Sequence, residues 1–222
     1  MIEVFEGLPE ASRDLLDKAT YDRHTPDAYI DGQPRPVIGR PNLEARICIL
    51  GRDPGEEEVR LGVPFVGETG KRLRCQLAAS GVDPDKDVYW ANTVPYKRAN
   101  NDRWPMAVQS AFYLPTLQLL STRWRGHEVI TLGEEAFKWF RLCNGPAKPW
   151  DSRWHIADRF GPKIFHEVTL SLPDGGDNFF AVHPLPHPSA RSAKLAREFP
   201  ALLAARLTEA SLKWVAASSR SS

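Results

Sequence analysis

Three short polar stretches carry most of the residues able to do chemistry. In "GRDPG", residues 51–55, Gly51 and Gly55 let the backbone bend and Pro54 stiffens the turn. Asp53 is thereby set at its apex beside Arg52. "NTVPYKRANNDRWP", residues 92–105, opens on Asn92. Its amide offers a donor and an acceptor side by side, the complement of a pyrimidine edge presenting O4 and N3–H. "HPLPHPSARS", residues 183–192, holds His183 and His187 with the hydroxyls of Ser189 and Ser192. Between the first two stretches, "GVPFVG" mounts Phe65 between Gly62 and Gly67, which suits either a stacking platform or a core side chain under a long loop. Taken singly, each has an ordinary use: a turn carboxylate bonding its own backbone, an asparagine cap, a histidine in a proline-rich loop.

These stretches fall where a particular architecture would place a site. "ARICILG" (45–51), "DVYWANTVP" (87–95) and "HEVITLG" (127–133) read as strands. "TGKRLRCQLAASG" (69–81) and "EEAFKWFRL" (134–142) read as helices between them. A helix from Pro105 is expected to kink or split at Pro115. "KIFHEVTLSL" and "NFFAVHP" form two more strands around a "PDGGD" turn, and a last helix covers about 190–215. The expected fold is α/β: a central, mostly parallel sheet of four to five strands with helices on both faces. Ligands of such sheets bind at the carboxyl ends of the strands, and the three polar stretches each follow a strand. One domain over residues 1–216 is expected, with its motif-bearing core at about 46–207 and a frayed tail at 217–222. Residues 1–42 contain the helix-capable "PEASRDLLDKA", expected to pack on the sheet edge.

Composition narrows the classes. A net charge of +1 argues against a strongly basic nucleic-acid coat, although cations cluster at Lys71, Arg72 and Arg74, at Lys97, Arg98 and Arg103, and at Arg191, Lys194 and Arg197. Three scattered cysteines give neither a disulfide framework nor a zinc pattern. No signal segment or long apolar span is evident, so a reduced cytoplasmic protein without membrane contact is expected. Both the phosphate-binding Gly-Lys-Ser/Thr ending and Gly-x-Gly-x-x-Gly are missing, and neither a nucleoside triphosphate nor NAD is indicated. His183 and His187 are four apart, but Pro184, Pro186 and Pro188 prevent a shared helix face, so no metal site is expected.

Taken together, the motifs resemble the uracil-DNA glycosylase superfamily. "GRDPGEEEVRLGVPFVGETG" is similar to the family 4 first motif, "HPSARS" to the superfamily's second motif, and "VYWANTVPYKRANNDRWP" to the segment between them. The similarity implies a three-layer α/β/α enzyme that flips uracil out of DNA and hydrolyses its N-glycosidic bond. Free uracil and an abasic site would be its products. Asp53 matches the family 1 aspartate that positions water and faces the positive sugar; His187 matches the histidine that stabilises the leaving uracil. Phe65 matches the stacking aromatic and Asn92 the base-reading amide. Gly51, Arg52, Pro54, Gly55, Glu58 and His183 complete the implied substrate contacts. Lys97, Arg98, Ser189, Arg191, Ser192 and Lys194 are the implied DNA contacts.

Departures from the pattern are informative. Family 4 usually has Glu where this chain has Arg52 and a small residue where it has Asp53. The four cysteines that ligate the family 4 iron–sulfur cluster are lacking, and no cofactor is expected. Gly55 replaces the family 1 tyrosine that excludes thymine, leaving Glu58 as a candidate for that role. Other readings are a glycosylase for hypoxanthine, xanthine or an altered pyrimidine, a non-catalytic DNA binder, or a metal-dependent hydrolase using Asp53, His183, His187 and His166.

Overall fold

The structure is a computed structural model. It describes residues 29–30, 33–34, 36–37, 42, 44–98, 102–118, 120, 124, 126–140, 166–171, 177–189 and 193–218. In chain order, the described strands are β1 (Tyr29–Ile30), β2 (Gln33–Pro34), β3 (Ile47–Gly51), β4 (Val88–Asn92), β5 (Glu128–Leu132), β6 (His166–Ser171) and β7 (Asp177–Leu185). The helices are α1 (Glu56–Leu61), α2 (Glu68–Ala79), α3 (Met106–Gln118), α4 (Glu134–Trp139) and α5 (Ala193–Ser218).

The main sheet has five strands in the order β4-β3-β5-β7-β6, and β1 and β2 form a separate antiparallel pair. The first four run parallel, while β6 pairs antiparallel with β7 as an edge hairpin. Every residue of β3, β4 and β5 is buried. That is why their sequences read as unbroken apolar runs rather than alternating ones. Alternate side chains still divide between two cores. Cys48, Leu50, Tyr89, Val129 and Val182 pack with Trp124, Phe137 and Trp139 on one face. Ile49, Trp90, Ile130 and Leu185 pack with Leu73 and Leu77 of α2 and Leu203 and Leu207 of α5 on the other.

This is the expected three-layer arrangement, with local differences. The stretch after β3 contains a helix, α1, where the sequence suggested only a loop. Three acids occupy its first turn, where they favour the positive end of the helix, and Gly62 closes it at φ 66°. Helix α3 runs through Pro115 without splitting, so of the kink or split expected there the split does not occur. Gly81, expected to stop α2, sits at φ 79° just past it. The helix expected in "PEASRDLLDKA" and the irregular segment 143–162 lie outside the described residues, as does the tail at 219–222.

The strand order positions the site. β3 lies between β4 and β5, so the chain leaves β3 to one side and then crosses back to the other. Such a reversal opens a crevice at the carboxyl ends of the strands. Gly51 and Asn92 are register partners at the ends of β3 and β4, facing that crevice from adjacent strands.

Candidate active site

The loops after β3 and β4 are zipped together by the backbone. The N–H of Thr93 donates to Gly51 O at 2.9 Å and that of Val94 to Arg52 O at 3.1 Å. The Thr93 hydroxyl adds a third bond to Arg52 O at 2.6 Å. These bonds extend the sheet ladder past its strands, so Arg52 and Asp53 are carried on a fixed platform.

Gly51 forms the floor of the crevice. A Cβ added there would lie 2.5 Å from Asn92 Oδ1 and 2.8 Å from Phe65 Cζ. The amide and the aromatic ring therefore converge on one hydrogen atom. Asn92 is buried, with 8% of its surface exposed. Phe65 has φ 55°, the only non-glycine at positive φ among the described residues. A bulky residue held there costs about 1–3 kcal/mol, and such strain collects at functional sites. Gly70 makes the conformation possible, because a side chain there would collide with the Phe65 carbonyl. For Gly51→Ala we expect tenfold or greater loss of the protein's activity with little change in melting temperature. Parallel rate and thermal-melt measurements check this.

Glu58 clasps the loop from below. Its Oε1 accepts the N–H of Gly67 at 3.0 Å, and a Cβ on Gly55 would displace its other oxygen. The carboxylate thus ties α1 to the turn that starts α2.

Asp53 lies above the floor with 8% of its side chain exposed. Oδ1 accepts from Arg52 Nε at 2.7 Å, whereas Oδ2 is buried with no partner among the described residues. Burial pushes its pKa up to about 6, even though Arg52, Lys97 and Arg98 all pull it down. Four charged groups therefore gather at one point, a concentration of charge typical of functional sites. Lys97 is buried and donates to Arg98 O at 3.2 Å.

His187 follows β7 beside Gly133, whose φ of 86° disfavours any side chain there, although a Cβ would meet the His187 Cβ at an ordinary 3.4 Å. The ring keeps an edge open to solvent. Its Nδ1 lies 2.6 Å from Ser189 Oγ and accepts the Ser189 N–H at 3.2 Å. A backbone N–H can only donate, so the proton of the neutral ring belongs on Nε2. Surrounding protein first, and the Arg52 charge second, hold His187 below the ordinary imidazole range. That direction favours the uncharged ring with Nε2–H as its donor.

His183 is placed elsewhere, which corrects its assignment to the substrate. It has no exposed surface, and its Nε2 lies 2.5 Å from Glu128 Oε2 at the amino-terminal start of β5. Its Nδ1 and Arg206 both approach Glu209 of α5 at 3.6 Å. His183 thus fastens α5 to the sheet and is separated from Asp53 and His187, so those three do not form a ligand set. Among the described residues no group of three or more His, Cys, Asp or Glu could hold a metal ion. We expect Glu128→Gln to lower unfolding stability by about 1.5–3 kcal/mol while the rate per folded molecule stays the same. Urea titration beside an activity assay reads both.

Of the expected DNA contacts, Ser189 is committed to His187, and Lys194 is exposed in the first turn of α5. Arg191 and Ser192 lie outside the described residues. Arg103 pairs with Glu135 of α4 at 2.7 Å. Thr93, Gly133 and Gly70 escaped the sequence reading; the only signal for the two glycines was a position just past a strand or inside a helix.

The comparison with known families is decisive for kinship. The family model described as the uracil DNA glycosylase superfamily matches residues 38–210. This chain belongs to that superfamily. The type-4 uracil-DNA glycosylase of Archaeoglobus fulgidus is 34% identical over 165 residues, covering 72% of this chain and 78% of that protein. The type-4 uracil-DNA glycosylase of Thermotoga maritima is 35% identical over 108 residues, 47% of this chain and 53% of that protein. The aligned part thus spans about half the length of the Thermotoga relative. A DNA polymerase of Bacillus phage SP01 is 36% identical over 75 residues, only 8% of its own length.

An iron–sulfur cluster of the kind the family 4 resemblance brings to mind does not fit this superfamily member. Cys48 is buried in β3 with the core on one face of the sheet, whereas Cys75 is exposed on α2, which packs on the other. With three cysteines in the whole sequence, a four-thiolate set is not available.

Proposed function

We propose that this superfamily member removes uracil from DNA, breaking the bond between N1 of the base and C1′ of the sugar. The observation that carries the reading is the convergence of Phe65 and Asn92 over Gly51, beside a carboxylate with one oxygen unpartnered among the described residues. An aromatic face and a pyrimidine-reading amide suit a flipped base, which must leave the stack before its glycosidic bond is accessible.

The chemistry follows from the charges that develop. As the bond breaks, its electron pair goes to the uracil ring and positive charge grows on the sugar. Asp53 in its ionised form opposes the sugar's charge, and Oδ2 accepts a hydrogen bond from the attacking water. The water oxygen adds to C1′, and its proton leaves through the carboxylate to solvent. His187 donates its Nε2–H to O2 of the departing uracil anion, needing no charge of its own. Arg98 and Lys194 supply cations for DNA phosphates, whereas Lys97, expected among the DNA contacts, is buried with its amine turned to the Arg98 carbonyl.

Asn92 complements the O4 and N3–H edge of uracil, an edge pattern that hypoxanthine shares through O6 and N1–H, so the choice of base is left to the test. The test is incubation with duplex and single-stranded oligonucleotides carrying one uracil, thymine, hypoxanthine or xanthine, in the presence of EDTA, followed by alkali. Strand breaks at uracil alone support the reading. Breaks only at a purine would assign a different base, and intact strands throughout would leave a DNA binder.

A further inference from the structure

Arg74 separates from the basic cluster in which the sequence places it. Arg72 pairs along the exposed face of α2 with Glu68 at 2.5 Å, one turn earlier. Arg74 instead turns toward the site. Its Nε donates to the Phe65 carbonyl at 3.1 Å, and its guanidinium lies 4.5 Å above the Trp90 ring. Trp90 packs in turn on Phe65, with ring centroids 4.9 Å apart, and is fixed by donation from its indole N–H to Pro84 O at 2.8 Å. A second guanidinium nitrogen reaches Asp85 at 2.8 Å. One side chain therefore grips Phe65 twice, at its carbonyl and through the ring on which it rests.

We propose that Arg74 is a positioning residue for base recognition, holding Phe65 in its left-handed conformation so that the ring stays over Gly51. This rests on the reading of Phe65 as the surface on which uracil stacks. The physical need is plain: a phenylalanine at φ 55° relaxes toward negative φ unless its carbonyl and its ring are both restrained. Gly70 gives the carbonyl room on one side, and Arg74 supplies the bond and, through cation–π contact, the fixed ring beneath. Lysine cannot reproduce the planar fork that bonds a carbonyl while lying flat on an indole.

The test is a double-mutant cycle on uracil excision, with folding checked by circular dichroism and thermal melting. Arg74→Ala and Arg74→Lys are expected to lower kcat/KM about tenfold or more, mainly through KM. In a Phe65→Ala background, adding either change is expected to cost less than twofold, because the residue acted upon is gone. Asp85→Asn serves as the control and is expected to leave kcat/KM within twofold. Equal losses from Arg74→Lys with and without Phe65 would overturn the proposal. A crystal structure of Arg74→Lys separates this outcome from failure of the functional reading. Should the parent protein release no uracil, the positioning statement still requires Phe65 to leave positive φ in that variant, and retention near 55° would refute it.

Discussion

Asp53→Asn is expected to slow uracil release by 10²- to 10³-fold while making the protein more stable at neutral pH. Loss of one preorganised electrostatic group typically costs about 2.7–4 kcal/mol of transition-state stabilisation, and the amide opposes positive charge poorly. The gain in stability comes from the burial of the Asp53 carboxylate. Asp53 titrates at about 6 in the fold, against an ordinary value of 3.8. The folded state therefore favours the protonated form. That contribution to stability is fully present below the unfolded value and is lost as pH rises through about 6. The difference is on the order of 3 kcal/mol, which the asparagine variant does not lose. Urea denaturation of both proteins at pH 4 and pH 7.5 checks this: the parent should fall further behind the variant at the higher pH. The parent's single-turnover rate should rise with pH through about 6, because the proposed mechanism uses the ionised carboxylate.

His187→Ala is expected to cost a hundredfold or more in the rate of bond cleavage, with much less effect on DNA affinity. The donor is removed from the position where negative charge develops, while the cations that meet phosphate remain. His187→Asn, which retains an N–H donor, should recover part of the loss. Because the ring is held below the ordinary imidazole range and acts uncharged, the parent's rate should not fall between pH 7 and 9. Single-turnover rates and filter-binding affinities measured on the same oligonucleotide separate the two effects.

Much of this site was legible in the sequence, because a parallel sheet exposes its loops at one edge and chain order alone tells which loops meet. Asp53, Asn92 and His187 each follow a strand, and the structure brings their loops to the same end of the sheet. His183 was misjudged for a reason also present in the sequence. Strand period puts it on one face with Ala181 and Leu185, beneath α5, whereas proximity to His187 in a proline-rich stretch suggested a shared loop. Helix α1 was hidden because six residues between glycines carry too little periodicity, although Glu56, Glu57 and Glu58 mark a first turn. Arg74 was not legible at all. Its neighbours Lys71 and Arg72 face solvent, and only the three-dimensional course of α2 over β4 aims this one cation at Trp90.

The central claim is hydrolysis of a glycosidic bond at uracil, and its most direct measurement is mass spectrometry of a single-uracil oligonucleotide after incubation with the pure protein. The account predicts an intact sugar–phosphate strand that has lost one uracil and gained one hydroxyl, with free uracil in equal amount and with both products suppressed by Asp53→Asn. An oligonucleotide of unchanged mass at protein excess, under conditions where the protein binds it, would contradict the account.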